Sequence, residues 1–102
     1  MKDFFIDDSS IHGFGCFTRA NIKAGQTFTV PILPVDTNEL DHHVFPLKNG
    51  PKPLCVVLSE FTYCNHSDEP NFKIITVCSF GRFFIFEALT DINPYTEITL
   101  KY

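Results

Sequence analysis

The strongest constraint in this sequence is how often it is interrupted. Seven prolines and five glycines, with polar clusters such as Asp7-Asp8-Ser9-Ser10 and Asn49-Gly50-Pro51-Lys52-Pro53, divide 102 residues into short runs. Proline removes a backbone donor and glycine admits turn conformations, so both end regular elements. The runs between them are rich in aromatic and β-branched residues, which pack well on a pleated surface. Phe4-Phe5-Ile6 reads as a first strand, ended by Asp7-Asp8-Ser9-Ser10. Phe14 to Thr18 is a second. Thr27 to Leu33 is a third, pushed toward an edge or an end by Pro31 and Pro34. Phe72 to Phe80 and Arg82 to Leu89 are the strongest strand signals, and Ser79-Phe80-Gly81 joins them as a hairpin. Glu97 to Leu100 is the last.

Helix is scarce. Asp36-Thr37-Asn38-Glu39 fits a capping box, with Leu40 and Val44 facing inward and Pro46 as the stop, so this helix runs two turns at most. The expected fold is mainly β, with one short helix and irregular connections, in a single domain over residues 1–102. Hydrophobic residues at 44% and charged residues at 20% exclude a disordered chain. The 12 phenylalanines, with no tryptophan, are the large side chains available to the core. No apolar run approaches the roughly 18 residues of a membrane helix. Met1-Lys2-Asp3-Phe4 lacks the apolar stretch of a signal peptide, which predicts a cytoplasmic or nuclear setting, not a secreted one.

A net charge of −4 repels phosphate and argues against direct nucleic-acid binding. An acidic surface attracts a basic protein or peptide, although it is also an ordinary route to solubility. Cys16, Cys55, Cys64 and Cys78 are widely spaced and read as free buried thiols. Cys64-x-His66 matches no zinc spacing, so no metal is expected.

Three segments carry more than turn chemistry. In His12-Gly13-Phe14-Gly15-Cys16-Phe17, two glycines flank an aromatic residue and let backbone approach a ligand, although a plain turn needs the same residues. Asn65-His66-Ser67-Asp68-Glu69-Pro70-Asn71 is a polar run between apolar neighbours, rich in groups that donate and accept. Residues 87–102 form a strand, a proline turn and a short strand that lead to Tyr102.

In this order the segments resemble the SET-domain family of protein lysine methyltransferases. Residues 12–17 with Ile22-Lys23-Ala24-Gly25 look like its Gly-x-Gly strand and I-x-x-G turn. Asn65-His66-Ser67 with Pro70-Asn71 is similar to its N-H-S-x-x-P-N signature, and residues 88–102 to its closing A-x-x-D-I-x-P-G-E-E-L-T-x-D-Y. The resemblance spans essentially the whole chain, as in minimal members without flanking zinc modules. It implies small β-sheets around a pseudoknot-like threading, with the segment after Pro94 passing beside Asn65-His66.

The resemblance also implies transfer of a methyl group from S-adenosyl-L-methionine to a lysine ε-amine of a basic protein or peptide. The backbone of Phe14, Gly15 and Cys16 would hold the cofactor's amino-acid end, Asn65 its amino group and the His66 backbone its adenine. Tyr102 falls on the catalytic tyrosine. Leu100, Tyr63 and His43 fall on the substrate channel, and Leu100 in place of an aromatic residue implies multiple methylation. Of the other phenylalanines near the channel, Phe45 and Phe61 read more simply as core. Tyr95 stands where the family has a turn glycine, so the turn must change type or carry strain. Lys101 stands for an acidic residue. A short chain ending on Tyr102 predicts a homodimer that completes the site. A second reading keeps the fold as a binding module without turnover.

Overall fold

The computed structural model describes residues 3–35, 44–46, 54–78 and 83–101, with no account of the side chains of residues 34, 35, 44–46, 54, 56 and 76–78. Among the described residues nine strands form two sheets: β1 (Phe4–Asp8), β2 (Phe14–Thr18), β3 (Thr27–Val35), β4 (Val44–Pro46), β5 (Leu54–Val57), β6 (Asn65–His66), β7 (Phe72–Cys78), β8 (Phe83–Ala88) and β9 (Glu97–Leu100). The four-stranded sheet has the order β1-β2-β9-β6 and the five-stranded sheet β4-β5-β3-β8-β7. Among the described residues the only helical element is a 3₁₀ turn, Glu60–Tyr63. None of their helices is long and apolar enough to cross a membrane.

β2, β7, β8 and β9 lie where the sequence predicts them. β8 buries Phe84, Phe86 and Ala88 in strict alternation with half-buried Phe83, Ile85 and Glu87, the period-2 pattern of a one-faced strand. It pairs antiparallel with β7, whose ladder carries a bulge between Ile74 and Thr76, and the turn at residues 79–82 lies outside the described residues.

Three expectations change. β1 does not stop before Asp7: Asp7 pairs with Gly15 and Asp8 with Phe14, on an edge strand where polar side chains face water. β3 is not at an edge. Its residues 27–31 pair with β8 and its residues 32–35 with β5, so each half has one partner and Pro31 falls at the junction. A strand paired on one side at each point leaves room for residues that donate nothing. Val44 is not helical: residues 44–46 pair with β5, a tertiary contact overriding a weak local preference. The capping box and the rest of the expected helix, residues 36–43, lie outside the described residues.

Phe61 is where the two sheets meet. Its backbone N–H donates to Ser59 Oγ at 3.1 Å, which caps the 3₁₀ turn and aims the ring inward. Fully buried, that ring stacks on Phe86 of β8 at 4.5 Å and lies 4.7 Å from Phe4 of β1 and 5.6 Å from Phe72 of β7. Each such ring contact adds about 0.5–1.5 kcal/mol beyond the burial itself. Cys16, Cys55 and Cys64 are buried thiols of the same core, as expected, and the side chain of Cys78 is not described.

Two related turns join the sheets. Ile22 and Ile92 exchange backbone hydrogen bonds at 2.9 and 2.8 Å, and each is followed three residues later by a left-handed residue, Gly25 (φ 88°) and Tyr95 (φ 64°). Tyr95 therefore keeps the turn type and carries the strain, one of the two outcomes its substitution allowed. Its N–H donates to the Thr18 carbonyl, which holds it there.

β9 is the hinge of the topology. It lies between β2, antiparallel, and β6, parallel, with Asn65 beside Thr99 and His66 beside Leu100. The loop after β6 then closes over it. Ser67 N–H donates to the Leu100 carbonyl at 2.9 Å, Asn71 Nδ2 to the Glu97 carbonyl at 2.8 Å, and Thr99 N–H to Asn71 Oδ1 at 2.8 Å. The segment after Pro94 thus threads beside Asn65-His66, in the pseudoknot-like arrangement expected, an exception to the rule that connections avoid threading.

Candidate functional site

The 3₁₀ turn that plants Phe61 in the core also presents Thr62, Tyr63 and Cys64, and β6 begins at the next residue. Opposite them runs the approach to β2, where Gly13 (φ 48°) turns the chain with open space above its Cα. Between the two lies a groove of about 260 Å³, lined by His12, Gly13, Phe14, Thr62, Tyr63, Cys64 and Asn65. That size suits part of a nucleoside-sized ligand, since whole small-molecule sites run from about 300 Å³ upward. Phe14 is 59% exposed on its wall. An apolar ring held in the open beside polar backbone suits a flat ligand. Thr62 Oγ1 is buried without a hydrogen-bond partner, a polar atom of the wall left unsatisfied.

Beneath the groove is a closed polar network. Ser9 Oγ donates to the Glu97 carboxylate, 2.8 Å from both oxygens. Asn65 Nδ2 lies 2.9 Å from Glu97 Oε2, 3.0 Å from the carbonyls of His12 and Phe14, and 3.1 Å from Ser9 Oγ. Ser9 Oγ also accepts from Ile11 N–H at 2.9 Å. Gly15 makes this possible: a Cβ there would collide with the Glu97 carboxylate, which leans against the bare backbone. Burial pushes the Cys64 thiol well above its ordinary range, and the neighbouring Cys16 thiol and the Glu97 charge add to the shift. These thiols are packing groups, not nucleophiles.

The structure gathers Phe14, Gly15, Tyr63 and Asn65 at one place. Cys16 follows in β2 but is fully buried and does not line the groove. His66 follows Asn65 in β6, turns its ring to the surface with Nε2 3.2 Å from Asp68 Oδ1, and does not line the groove. Leu100 is 3% exposed and sits elsewhere, in a hollow of about 210 Å³ with Pro70, Phe72, Lys73, Ile74 and Lys101. Tyr63, expected in the channel with Leu100, thus stands with the cofactor candidates instead. Phe61 is plain core, Phe45's side chain is not described, and His43, Phe80 and Tyr102 lie outside the described residues. Among the described residues no group of three His, Cys, Asp or Glu side chains could hold a metal ion.

Ser9 and Glu97 are absent from the sequence expectations. Glu97 lies inside the closing motif, and the only signal was that it is the one charged residue of its strand. Ser9 read as a turn residue and carried no signal.

The SET-domain family model matches residues 13–102. The chain is similar in structure to a candidate histone methyltransferase of Plasmodium falciparum, with 25% identity, a TM-score of 0.79, and coverage of 100% of this chain and 94% of that one. It is also similar in fold to the Neurospora SET-domain protein DIM-5, a histone lysine methyltransferase, with 22% identity, a TM-score of 0.71, and coverage of 97% of this chain and 51% of that one. No curated protein sequence matches it.

Proposed function

The chain belongs to the SET-domain family, whose members are typically S-adenosylmethionine-dependent lysine methyltransferases, and from that premise we propose that it methylates the ε-amine of a lysine in a basic protein or peptide. The observation that carries this reading is the groove between Gly13-Phe14 and Tyr63-Asn65, built from the two motifs that the resemblance assigns to the cofactor. Three features favour the fit. The space above Gly13 is open, the Thr62 hydroxyl is unsatisfied, and Asn65 has one arm of its amide committed inward, which leaves its oxygen to accept from an ammonium group. When bound, S-adenosylmethionine supplies a methyl group on a sulfonium centre.

The protein's part is then alignment. Asn65 Oδ1 would hold the amino-acid end by its amine, the backbone at Phe14, Gly15 and Cys16 would bound that end, and the His66 backbone would meet the adenine. Fixing both reactants in line converts a two-body encounter into a unimolecular step. The Tyr102 hydroxyl would orient the lysine amine and stabilise the polarised methyl. No strong base is needed. A free lysine has a pKa near 10.4. Desolvation and a neighbouring positive charge disfavour its ammonium form, so the proton leaves to water before transfer.

Transfer of radiolabelled methyl to a panel of basic proteins, histones and ribosomal proteins included, tests this. We expect labelling that disappears in Tyr102→Phe while S-adenosylhomocysteine still binds. No labelling of any panel member by a cofactor-saturated sample would overturn the enzymatic reading in favour of a binding module.

A further inference from the structure

Asn65 has two amide hydrogens, and four oxygens surround its nitrogen. Three of these, the His12 and Phe14 carbonyls and Glu97 Oε2, carry no hydrogen when the carboxylate is ionised. The fourth, Ser9 Oγ, has one hydrogen and gives it to Glu97. An amide oxygen in the nitrogen's place would face four acceptors and no donor, so chemistry alone sets which way the amide lies. The two carbonyls are fixed by the backbone. Glu97 is the one full charge in the set, and charge-assisted hydrogen bonds are roughly twice as strong as neutral ones. Ser9, 88 residues from Glu97 in sequence, donates to that carboxylate and accepts from Asn65 Nδ2.

We propose that Glu97, oriented by Ser9, is a positioning and specificity residue: it locks the Asn65 amide with its oxygen left to the ligand, which makes this end of the groove a receptor for an ammonium group. The proposal rests on the S-adenosylmethionine reading above. Ligands of that class carry an α-ammonium, which donates and must meet acceptors. An amide turned the other way would present N–H groups and repel it. The negative charge of Glu97 behind Asn65 works in the same direction. In Glu97→Gln the side chain keeps its shape but gains two hydrogens, so the facing carboxamides lose their fixed order.

Calorimetry separates the outcomes, with S-adenosylhomocysteine and its deamino analogue, identical except for the missing α-amine, as the probes. The native protein should bind S-adenosylhomocysteine at least about tenfold more tightly than the analogue, the value of one charge-assisted bond. In Glu97→Gln that gap should shrink to roughly threefold or less, through weaker binding of the amine-bearing ligand alone. Ser9→Ala, which keeps the carboxylate, should narrow the gap in the same direction by a smaller factor, and it carries the test if Glu97→Gln fails to melt cooperatively. Equal weakening of both ligands would show Glu97 to be a brace only, and an unchanged gap in both variants would equally overturn the proposal. A native protein that binds neither ligand refutes the cofactor reading itself, and the positioning role falls with it.

Discussion

Replacing Gly15 by alanine gives the sharpest test of the network under the groove. The new methyl would lie 2.9 Å from Glu97 Cδ, closer still to Oε2, and 3.2 Å from Ser9 Cβ. Ordinary contact begins near 3.4 Å, so the carboxylate must retreat by about half an ångström or more. It cannot do so freely, because hydrogen bonds from Ser9 Oγ at 2.8 Å and Asn65 Nδ2 at 2.9 Å tie it in place. Either the overlap stays, at about 1–3 kcal/mol for overpacking, or a charge-assisted bond breaks, at about 1.5–3 kcal/mol. Both routes put the loss near 2 kcal/mol, a fall in melting temperature of roughly 8–16 °C for a domain of this size. The backbone at Gly15 is not left-handed, so absence of the clash reverses the sign. In a Glu97→Ala background Gly15→Ala should be neutral or stabilise slightly, by about 0.5 kcal/mol, through the unfolded chain. Urea denaturation of the four proteins gives the cycle directly. An equal cost of Gly15→Ala in both backgrounds would refute the placement of the carboxylate against Gly15.

Phe61→Ala should cost about 3–5 kcal/mol by urea denaturation, because it empties the point where rings from both sheets converge, and it should remove ligand binding in the same variant by freeing the wall that follows it. The Cys55 thiol, pushed up to about 11 by burial from an ordinary 9.0, binds its proton more tightly folded than unfolded. Its contribution to stability is therefore complete below pH 9 and lost as pH rises toward 11, with Cys64 shifted in the same direction, so denaturation midpoints should fall over that interval while native thiols stay unreactive at pH 8. On the proposal that Leu100 lines the substrate channel, where it has no hydroxyl to hold a water, mass spectrometry under excess enzyme and cofactor should show di- and trimethyl products, and a pure monomethyl product would contradict this.

What the sequence made legible follows the range of the forces. β8 was visible because its alternation is local, and β2 because Gly13 and the polar turn after Thr18 bracket it. Tyr95 could be singled out because the motif around it demands a left-handed residue, and the structure selects that conformation over a change of turn type. β3 was misjudged at Pro31 because a proline's meaning depends on which side of the strand is paired, and there the partner changes from β8 to β5. Asp7 and Asp8 read as a turn because acidic pairs usually are, yet the Gly15 and Phe14 backbone across the ladder makes them strand. The site divided in the same way. Phe14 and Asn65 sit in motifs with a spacing to recognise. The bond between Ser9 and Glu97 spans 88 residues and leaves no periodicity, so only the folded chain brings it into view.

The central place of β9 bears on the order in which the protein is assembled. Every described strand that it touches comes earlier in the chain, yet β2 and β6 have no direct ladder to one another and meet only through it. During synthesis the β1–β2 hairpin emerges first and must wait, one edge open, while some seventy-eight residues follow, an interval in which an unpaired edge can be captured by another chain. Closure depends on contacts distant in sequence, which makes it slow. The polar network draws Ser9, Asn65 and Glu97 from the beginning, middle and end of the chain, so no partly folded species contains it. A ligand held through that network would bind the finished fold alone and stabilise it in proportion to the logarithm of its concentration. Its abundance in the cell would then set how much of each new batch of chains is held in the completed state.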